Sequence, residues 1–230
     1  VLFVTANLNA GGAQRSLVTL VCALQGHLRF EIAVCGDSTS SYFHQQLIGH
    51  GIPVTRACAS RDAFDLAEVI CNLLFLKEFS TICLWNADAK VKLLLAKALA
   101  HTRVRLIDVS PGGYAFEEMR EIADFQQWIA FDEARYHARL NALVLKYHGD
   151  APLETRHKTR VIPNGVPMPE TSARPGDTRA APTARIVVSG RIAPSKFMLE
   201  IVAAMRLLWR THPQAQLHVL GSVEPRHAAY

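Results

Sequence analysis

Two cations, Arg191 and Lys196, stand five residues apart between a predicted strand and a predicted helix. Parallel sheets bind anions where a strand ends and a helix begins, because the free N–H groups and dipole of the helix attract phosphate. An arginine fork and a lysine point charge could together clamp a diphosphate. Two solvated surface cations would show the same spacing. Gly190, beside Arg191 at the strand end, favours the diphosphate site.

A second candidate is the pair Gly11-Gly12, which follows the predicted strand Val1–Thr5 and precedes a predicted helix. Glycines let the backbone approach a phosphate closely at such a junction. A plain turn before a helix is an equally good interpretation. The pattern is neither G-x-G-x-x-G nor a P-loop, so it does not indicate a dinucleotide or P-loop site.

Two more loops follow predicted strands. Ser110, Gly112 and Gly113 come directly after the strand Arg105–Val109, where they could contact an acceptor or a donor sugar, or form a structural loop. Asn164, followed by a glycine, ends another strand, and Asn-Gly favours a turn with positive φ. We interpret all four as acceptor-side or cleft residues.

Several catalytic and metal-binding motifs are absent from the sequence. It contains no H-E-x-x-H, no G-x-S-x-G and no Cys/His ligand spacing. It also contains no D-x-D, and Asn86-Ala87-Asp88 is the nearest approach. We therefore expect neither a metal nor a cofactor.

Composition narrows the class of protein further. Half of the 230 residues are hydrophobic and 20% are charged, which is typical of a globular chain with a real core. The net charge of +5 suits an anionic ligand, an anionic membrane surface or an ordinary basic protein. Basic residues are spread rather than clustered with aromatics, which argues against nucleic-acid binding. Five scattered cysteines, with no signal peptide visible, favour free buried thiols in the cytoplasm.

Strand-like runs alternate with helix-like stripes, which predicts an α/β fold with a parallel sheet covered on both faces. The predicted strands are Val1–Thr5, Phe30–Cys35, Ile52–Val54, Thr81–Trp85, Arg105–Val109, Leu143–Lys146, Arg160–Ile162, Ile186–Ser189 and Gln216–Leu220. The predicted helices follow Gly12 and cover Tyr42–Ile48, Asp65–Leu76, Ala87–Leu99, parts of 114–139, and Lys196–Arg210.

A composition break divides the chain. Residues 1–166 form a predicted Rossmann-like domain, and residues 167–184 are a proline-containing linker without periodicity. Residues 185–230 begin a second Rossmann-like domain. Because a single β-α-β unit cannot bury its own faces, we expect this second domain to be incomplete.

Four segments in this order resemble glycosyltransferase family 4, which has the two-domain GT-B fold. They are Gly11-Gly12-Ala13-Gln14-Arg15, the Ile-Pro-Asn-Gly-Val run at 162–166, the stretch from Gly190-Arg191 to Lys196, and His212-Pro213 with Leu217–Gly221. The resemblance covers essentially the whole chain. It implies a retaining, metal-independent transferase that moves a sugar from a nucleotide-diphosphate-sugar to a saccharide or glycolipid acceptor in polysaccharide biosynthesis.

The resemblance also assigns roles. Arg191 and Lys196 would hold the donor diphosphate and stabilise the departing nucleotide, Gly11 and Gly12 would lie near the donor, and the N-terminal domain would select the acceptor. The sequence departs from the family at Phe197, where a glycine is usual, and at Ser110, where a histidine is often found. The family's E-x7-E motif would lie beyond Tyr230, so this chain alone is expected to be inactive.

Two alternatives to a transferase stay open. One is a non-catalytic GT-B-like module that binds sugar or a protein, which Phe197 and Ser110 would favour. The other is a GT-B nucleotide-sugar epimerase. The resemblance implies a cytoplasmic protein, and the positive charge leaves peripheral contact with the inner face of the cell membrane as a further expectation.

Overall fold

The computed structural model describes residues 1–9, 11–38, 42–57, 62–109, 118–146, 153–165, 184–190, 192–221 and 223. The chain forms two compact units, Val1–Pro167 and Met168–Tyr230. The division into two domains and a linker at 167–184 stays a prediction.

The first unit is built on a seven-stranded sheet in which every strand pair is parallel. Its strands are β1 (Leu2–Thr5), β2 (Glu31–Val34), β3 (Val54–Arg56), β4 (Thr81–Trp85), β5 (Arg105–Val109), β6 (Ala142–Leu145) and β7 (Thr159–Val161). The strand order β3-β2-β1-β4-β5-β6-β7 reverses direction between β1 and β4. This confirms the predicted α/β fold with a parallel sheet.

Helices cover the sheet on both faces. They are α1 (Gly12–Leu24), α2 (Tyr42–Gly49), α3 (Ala63–Leu76), α4 (Ala89–Ala98), α5 (Ala123–Trp128) and α6 (Glu133–Arg139). Because side chains alternate along a strand, β1 contributes to two cores. Leu2 and Val4 pack with α3, α4 and α6, whereas Phe3 packs with α1 and α2. Burial on both faces explains why Leu2, Phe3 and Val4 are all apolar rather than alternating with polar residues.

A buried polar cluster joins three elements inside the first of these cores. Lys92 of α4 donates to both carboxylate oxygens of Asp108 on β5, at 2.9 and 3.0 Å. Tyr136 of α6 donates its hydroxyl proton to Asp108 Oδ2 at 2.7 Å. All three side chains are buried, so this cluster fixes β5 near its carboxyl end.

The second unit contains a parallel pair, β8 (Arg185–Ser189) and β9 (Gln216–Leu220), joined through α7 (Met198–Leu208). Met198 and Met205 of the predicted apolar stripe are buried, whereas Val202 is exposed. The predicted helix Lys196–Arg210 is wrong at its start. A short 3-10 helix covers Pro194–Lys196, and α7 begins only after Phe197, whose backbone is left-handed.

The third strand is also displaced from its predicted position at Ile52–Val54. Pro53 has no N–H to donate to the ladder, although its carbonyl accepts from the Ile32 N–H at 3.0 Å. The regular pairing therefore begins with Val54 opposite Ile32. Ile52 instead packs into the core beneath α1 and α2.

Two further expectations concern thiols and membranes. Cys22, Cys35, Cys71 and Cys83 are free thiols, and Cys58 lies outside the described residues. Within the described part of the chain, no helix is both long and apolar enough to cross a bilayer.

Candidate functional site

The carboxyl edge of the sheet has a topological switch point between β1 and β4. The chain leaves β1 into α1 on one face and leaves β4 into α4 on the other. Open parallel sheets bind ligands in the crevice that such a divergence leaves. Gly11 and Gly12 lie at the start of α1, on this edge.

A side-chain network holds the glycine loop in place. The Asn7 Oδ1 atom accepts from the Asn9 N–H and from Gln14 Nε2, both at 3.1 Å. Gln14 is buried, and a Cβ added to Gly11 would lie 2.6 Å from its Oε1 atom. A side chain at position 11 would therefore require the Gln14 amide to move.

Gly12 differs from Gly11 because its side of the loop is open. It is exposed, and a Cβ added there would meet no heavy atom within 4 Å. The backbone at the first residue of α1 is thus accessible to a ligand. This open position is compatible with the predicted phosphate contact.

Trp85 holds the first turn of α1 against the sheet. At the end of β4, its indole Nε1–H donates to the Ala13 carbonyl in the first turn of α1 at 2.9 Å. Sequence reasoning did not select Trp85 or Asn7 as site residues, and it quoted Gln14 only as part of a family-like segment. The one available signal was the position of Asn7 and Trp85 at the ends of two apolar runs.

Asn164 is brought to a different groove, on the α1 side of the sheet. This groove has a volume of about 450 Å³ and also contains Trp85 and Lys146. Lys146 Nζ lies 5.4 Å from the centre of the Trp85 ring, and burial lowers the pKa of the Lys146 ammonium. Gly11 and Gly12 do not line this groove. Asn164 therefore shares a groove with Trp85, which donates to Ala13 in the first turn of α1, but it does not line a groove with Gly11 or Gly12.

The remaining predicted site residues lie elsewhere. Ser110, Gly112, Gly113 and Arg191 fall outside the described residues. Lys196 is the last residue of the 3-10 helix that precedes α7, and its side chain is exposed. Their assigned roles stay predictions.

Phe197 explains why a glycine is expected after the lysine. Its backbone has φ 54° and ψ 39°, in the left-handed region that only glycine adopts without steric cost. Its side chain is 63% exposed, so little packing offsets that cost. Phe197, whose ring was expected to narrow a phosphate site, therefore also has a strained backbone.

Replacing Phe197 with glycine should raise the free energy of unfolding of the second unit by about 1 kcal/mol, because the left-handed strain is removed. Urea denaturation at equilibrium measures this change. Phe197→Ala is the matched control, since it removes the ring but keeps the Cβ that causes the strain. Equal stabilisation by alanine and glycine would contradict a backbone origin.

Among the described residues, no group of three or more His, Cys, Asp or Glu side chains is placed to hold a metal ion. The parallel sheet, its switch point and the second β-α-β unit define an α/β protein with GT-B-type Rossmann-like domains.

Comparison with solved structures finds the same fold in several proteins of low sequence identity. No family model matches the sequence, and no curated protein matches it. The Anabaena protein Alr3699/HepE in complex with UDP-glucose is 17% identical, with a TM-score of 0.68 over 100% of this chain. Staphylococcus aureus MnaA with UDP is 11% identical over 98% of this chain (TM-score 0.56), and Acinetobacter baumannii MurG is 12% identical over 100% (TM-score 0.52). The chain spans 62%, 63% and 68% of the lengths of HepE, MnaA and MurG.

Proposed function

We propose that this chain is the N-terminal domain and the first part of the C-terminal domain of a retaining GT-B glycosyltransferase. The observation that carries the proposal is the glycine loop at the switch point. Its backbone is held by Asn7, Gln14 and Trp85, yet it is open at Gly12. Solved neighbours of the same fold contain UDP or UDP-glucose. These neighbours support a nucleotide-diphosphate-sugar as the donor class, and we propose a saccharide or a glycolipid as the acceptor.

Arg191 and Lys196 are proposed to bind the donor diphosphate. During transfer the bond between the anomeric carbon and the diphosphate breaks, and the diphosphate leaves with the bonding electrons. An acceptor hydroxyl oxygen forms the new glycosidic bond, and the proton of that hydroxyl passes to an oxygen of the departing diphosphate. Fixed cations stabilise the charge that develops on the leaving group, so this chemistry needs neither a metal nor a cofactor.

Calorimetric titration of UDP, GDP and ADP into the polypeptide extended to its natural C-terminus tests the donor site. We expect one nucleotide to bind, and the Arg191→Ala/Lys196→Ala double variant to weaken it at least a hundredfold, because two charge-assisted contacts are lost. Arg206→Ala/Arg210→Ala is the matched control, since it removes the same charge from exposed positions on α7 and just after it. Equal affinity in parent and site variant would refute the proposal.

A nucleotide-sugar epimerase is the second candidate, because the fold is shared with a putative UDP-N-acetylglucosamine 2-epimerase from Listeria monocytogenes (8% identity, TM-score 0.52). An epimerase forms its product from the nucleotide sugar alone. The two activities, transfer and epimerisation, are separated by an incubation without any acceptor. The extended polypeptide is incubated with nucleotide sugars of the base that binds in the titration. An epimerised nucleotide sugar would replace the transferase proposal.

A further inference from the structure

A groove of about 770 Å³ lies at the carboxyl edge of the first unit, on the side of α3 and α4. Asn7 and Gly36, which follow β1 and β2, contribute to it together with the first turns of α3 and α4 and with α5. This volume is within the range of small-molecule sites. We call it the aromatic groove because of the side chains along one wall.

Three rings form that wall. Phe64 of α3 lies 5.3 Å from Trp128 and 6.0 Å from Phe125 of α5, measured between ring centres. Phe125 and Trp128 are 5.9 Å apart. Trp128 is 71% exposed and Phe64 is 41% exposed. Phe125 is partly buried and packs against the core, whereas the exposed Trp128 and Phe64 rings do not belong to it.

Three carboxylates also line the groove, and two of them are held in place as helix caps. Asp62 Oδ1 accepts from the Phe64 N–H at 2.8 Å and caps α3. Asp88 Oδ1 accepts from the Lys90 N–H at 2.9 Å and caps α4. Asp37 is a third carboxylate of the groove, and it pairs with Arg56. Ionised carboxylates only accept hydrogen bonds, so they match ligands rich in hydroxyl donors.

The charge of the groove indicates which class of ligand could bind against its rings. Among the described residues that line it, the groove has three carboxylates and one cation, Lys90, which lies 5.3 Å from the centre of the Phe125 ring. Asp37 is paired with Arg56, so the carboxylates in excess over Lys90 are those of Asp62 and Asp88. This excess of negative charge disfavours a phosphate or an anionic lipid surface. A neutral pyranose fits both the aromatic wall and the carboxylates of the groove. Its C–H face stacks on the electron-rich face of a ring, and its hydroxyls donate to the carboxylates.

We propose that the aromatic groove binds a neutral sugar of the acceptor substrate. Trp128 and Phe64 form the surface on which the sugar ring stacks, and the Asp88 carboxylate accepts a hydrogen bond from a sugar hydroxyl. The identity of this sugar as the acceptor rests on the proposed transferase function. Binding of the sugar itself does not, because every residue involved belongs to the first unit.

Saturation-transfer NMR with the 230-residue chain tests the groove, using maltose, cellobiose, lactose and N,N′-diacetylchitobiose as neutral probes. At least one is expected to bind, and Trp128→Ala should raise its dissociation constant at least tenfold. Phe75→Ala is the matched control, because Phe75 is an exposed ring on the same helix as Phe64 but outside the groove. It should leave binding unchanged. Circular dichroism checks that each variant is folded.

Two outcomes would overturn the inference. The first is that none of the four probes binds, or that Trp128→Ala binds as the parent does. The second is that the parent binds phosphatidylglycerol vesicles through Trp128 and binds no sugar, which would make the patch a membrane contact. Nucleotide titration is read separately. UDP binding without sugar binding refutes only the groove, and sugar binding without nucleotide binding refutes only the transferase.

Discussion

Replacing Lys92 with alanine is expected to lower the free energy of unfolding of the first unit by about 3–5 kcal/mol. The variant leaves the Asp108 carboxylate buried without the ammonium that lies 2.9 Å from it. Removing one partner of a buried ion pair costs far more than the pair contributes, since a charge stays in a medium that solvates it poorly. Urea denaturation followed by circular dichroism measures the change.

Arg56→Ala is the matched control for this prediction. Arg56 also pairs with a carboxylate, Asp37, at 3.0 Å, but the two side chains are 74% and 75% exposed. Solvent screens such a pair, so its loss is expected to cost at most about 1 kcal/mol. The triple variant Lys92→Met/Asp108→Leu/Tyr136→Phe should recover part of the loss, because no polar atom of the cluster is left buried. Equal costs for Lys92→Ala and Arg56→Ala would contradict the burial argument.

Raising the pH above 9 is expected to destabilise the first unit steeply. Burial, helped by the charge of Asp88, raises the pKa of the Cys35 thiol to about 12 from 9.0. Burial, helped by Asp108, does the same for Cys83. Between these values the unfolded chain releases the thiol protons while the folded chain keeps them, so stability present below pH 9 is lost as the pH rises. The loss is about 1.4 kcal/mol per pH unit for each thiol.

Tyr136 adds to the loss above pH 10. Burial raises its pKa well above 10.0, and so do the charge of Asp108 and the hydrogen bond to it. Urea denaturation at pH 8, 9, 10 and 11 under reducing conditions measures the slope. Comparison with Cys35→Ala/Cys83→Ala isolates the thiols from other groups that titrate. Cys35→Ala alone should remove about half of the thiols' contribution to the pH dependence of the free energy of unfolding. An unchanged slope in the double variant would disprove the role of the thiols.

The local pattern was sufficient for elements whose two faces are both covered. The bounds predicted for Thr81–Trp85 and Arg105–Val109 agree with the structure. Short apolar runs between turn-forming residues indicate strands without any knowledge of their neighbours. Gly11-Gly12 was placed correctly at a helix start for the same reason. The predictions were least accurate at Pro53 and Phe197, where one residue changes the backbone.

The candidate site was only partly predictable. Its position at the ends of strands followed from the alternation of strands and helices, but the groups that hold it did not. Asn7 and Gln14 meet across a helix start, and Trp85 reaches Ala13 from 72 residues away. Phe64 and Trp128 come from helices that are far apart in the chain. None of these pairs has a characteristic spacing.

The amino-acid sequence by itself therefore determined the fold class, most strands and helices, and the glycine-rich turn, because these depend on interactions between residues close in the chain. Only the tertiary structure decided that β1 lies beside β4, that Lys92, Asp108 and Tyr136 meet in the core, and that three rings share one wall. The physical reason is that strand order sets which distant side chains become neighbours. No local periodicity encodes that order.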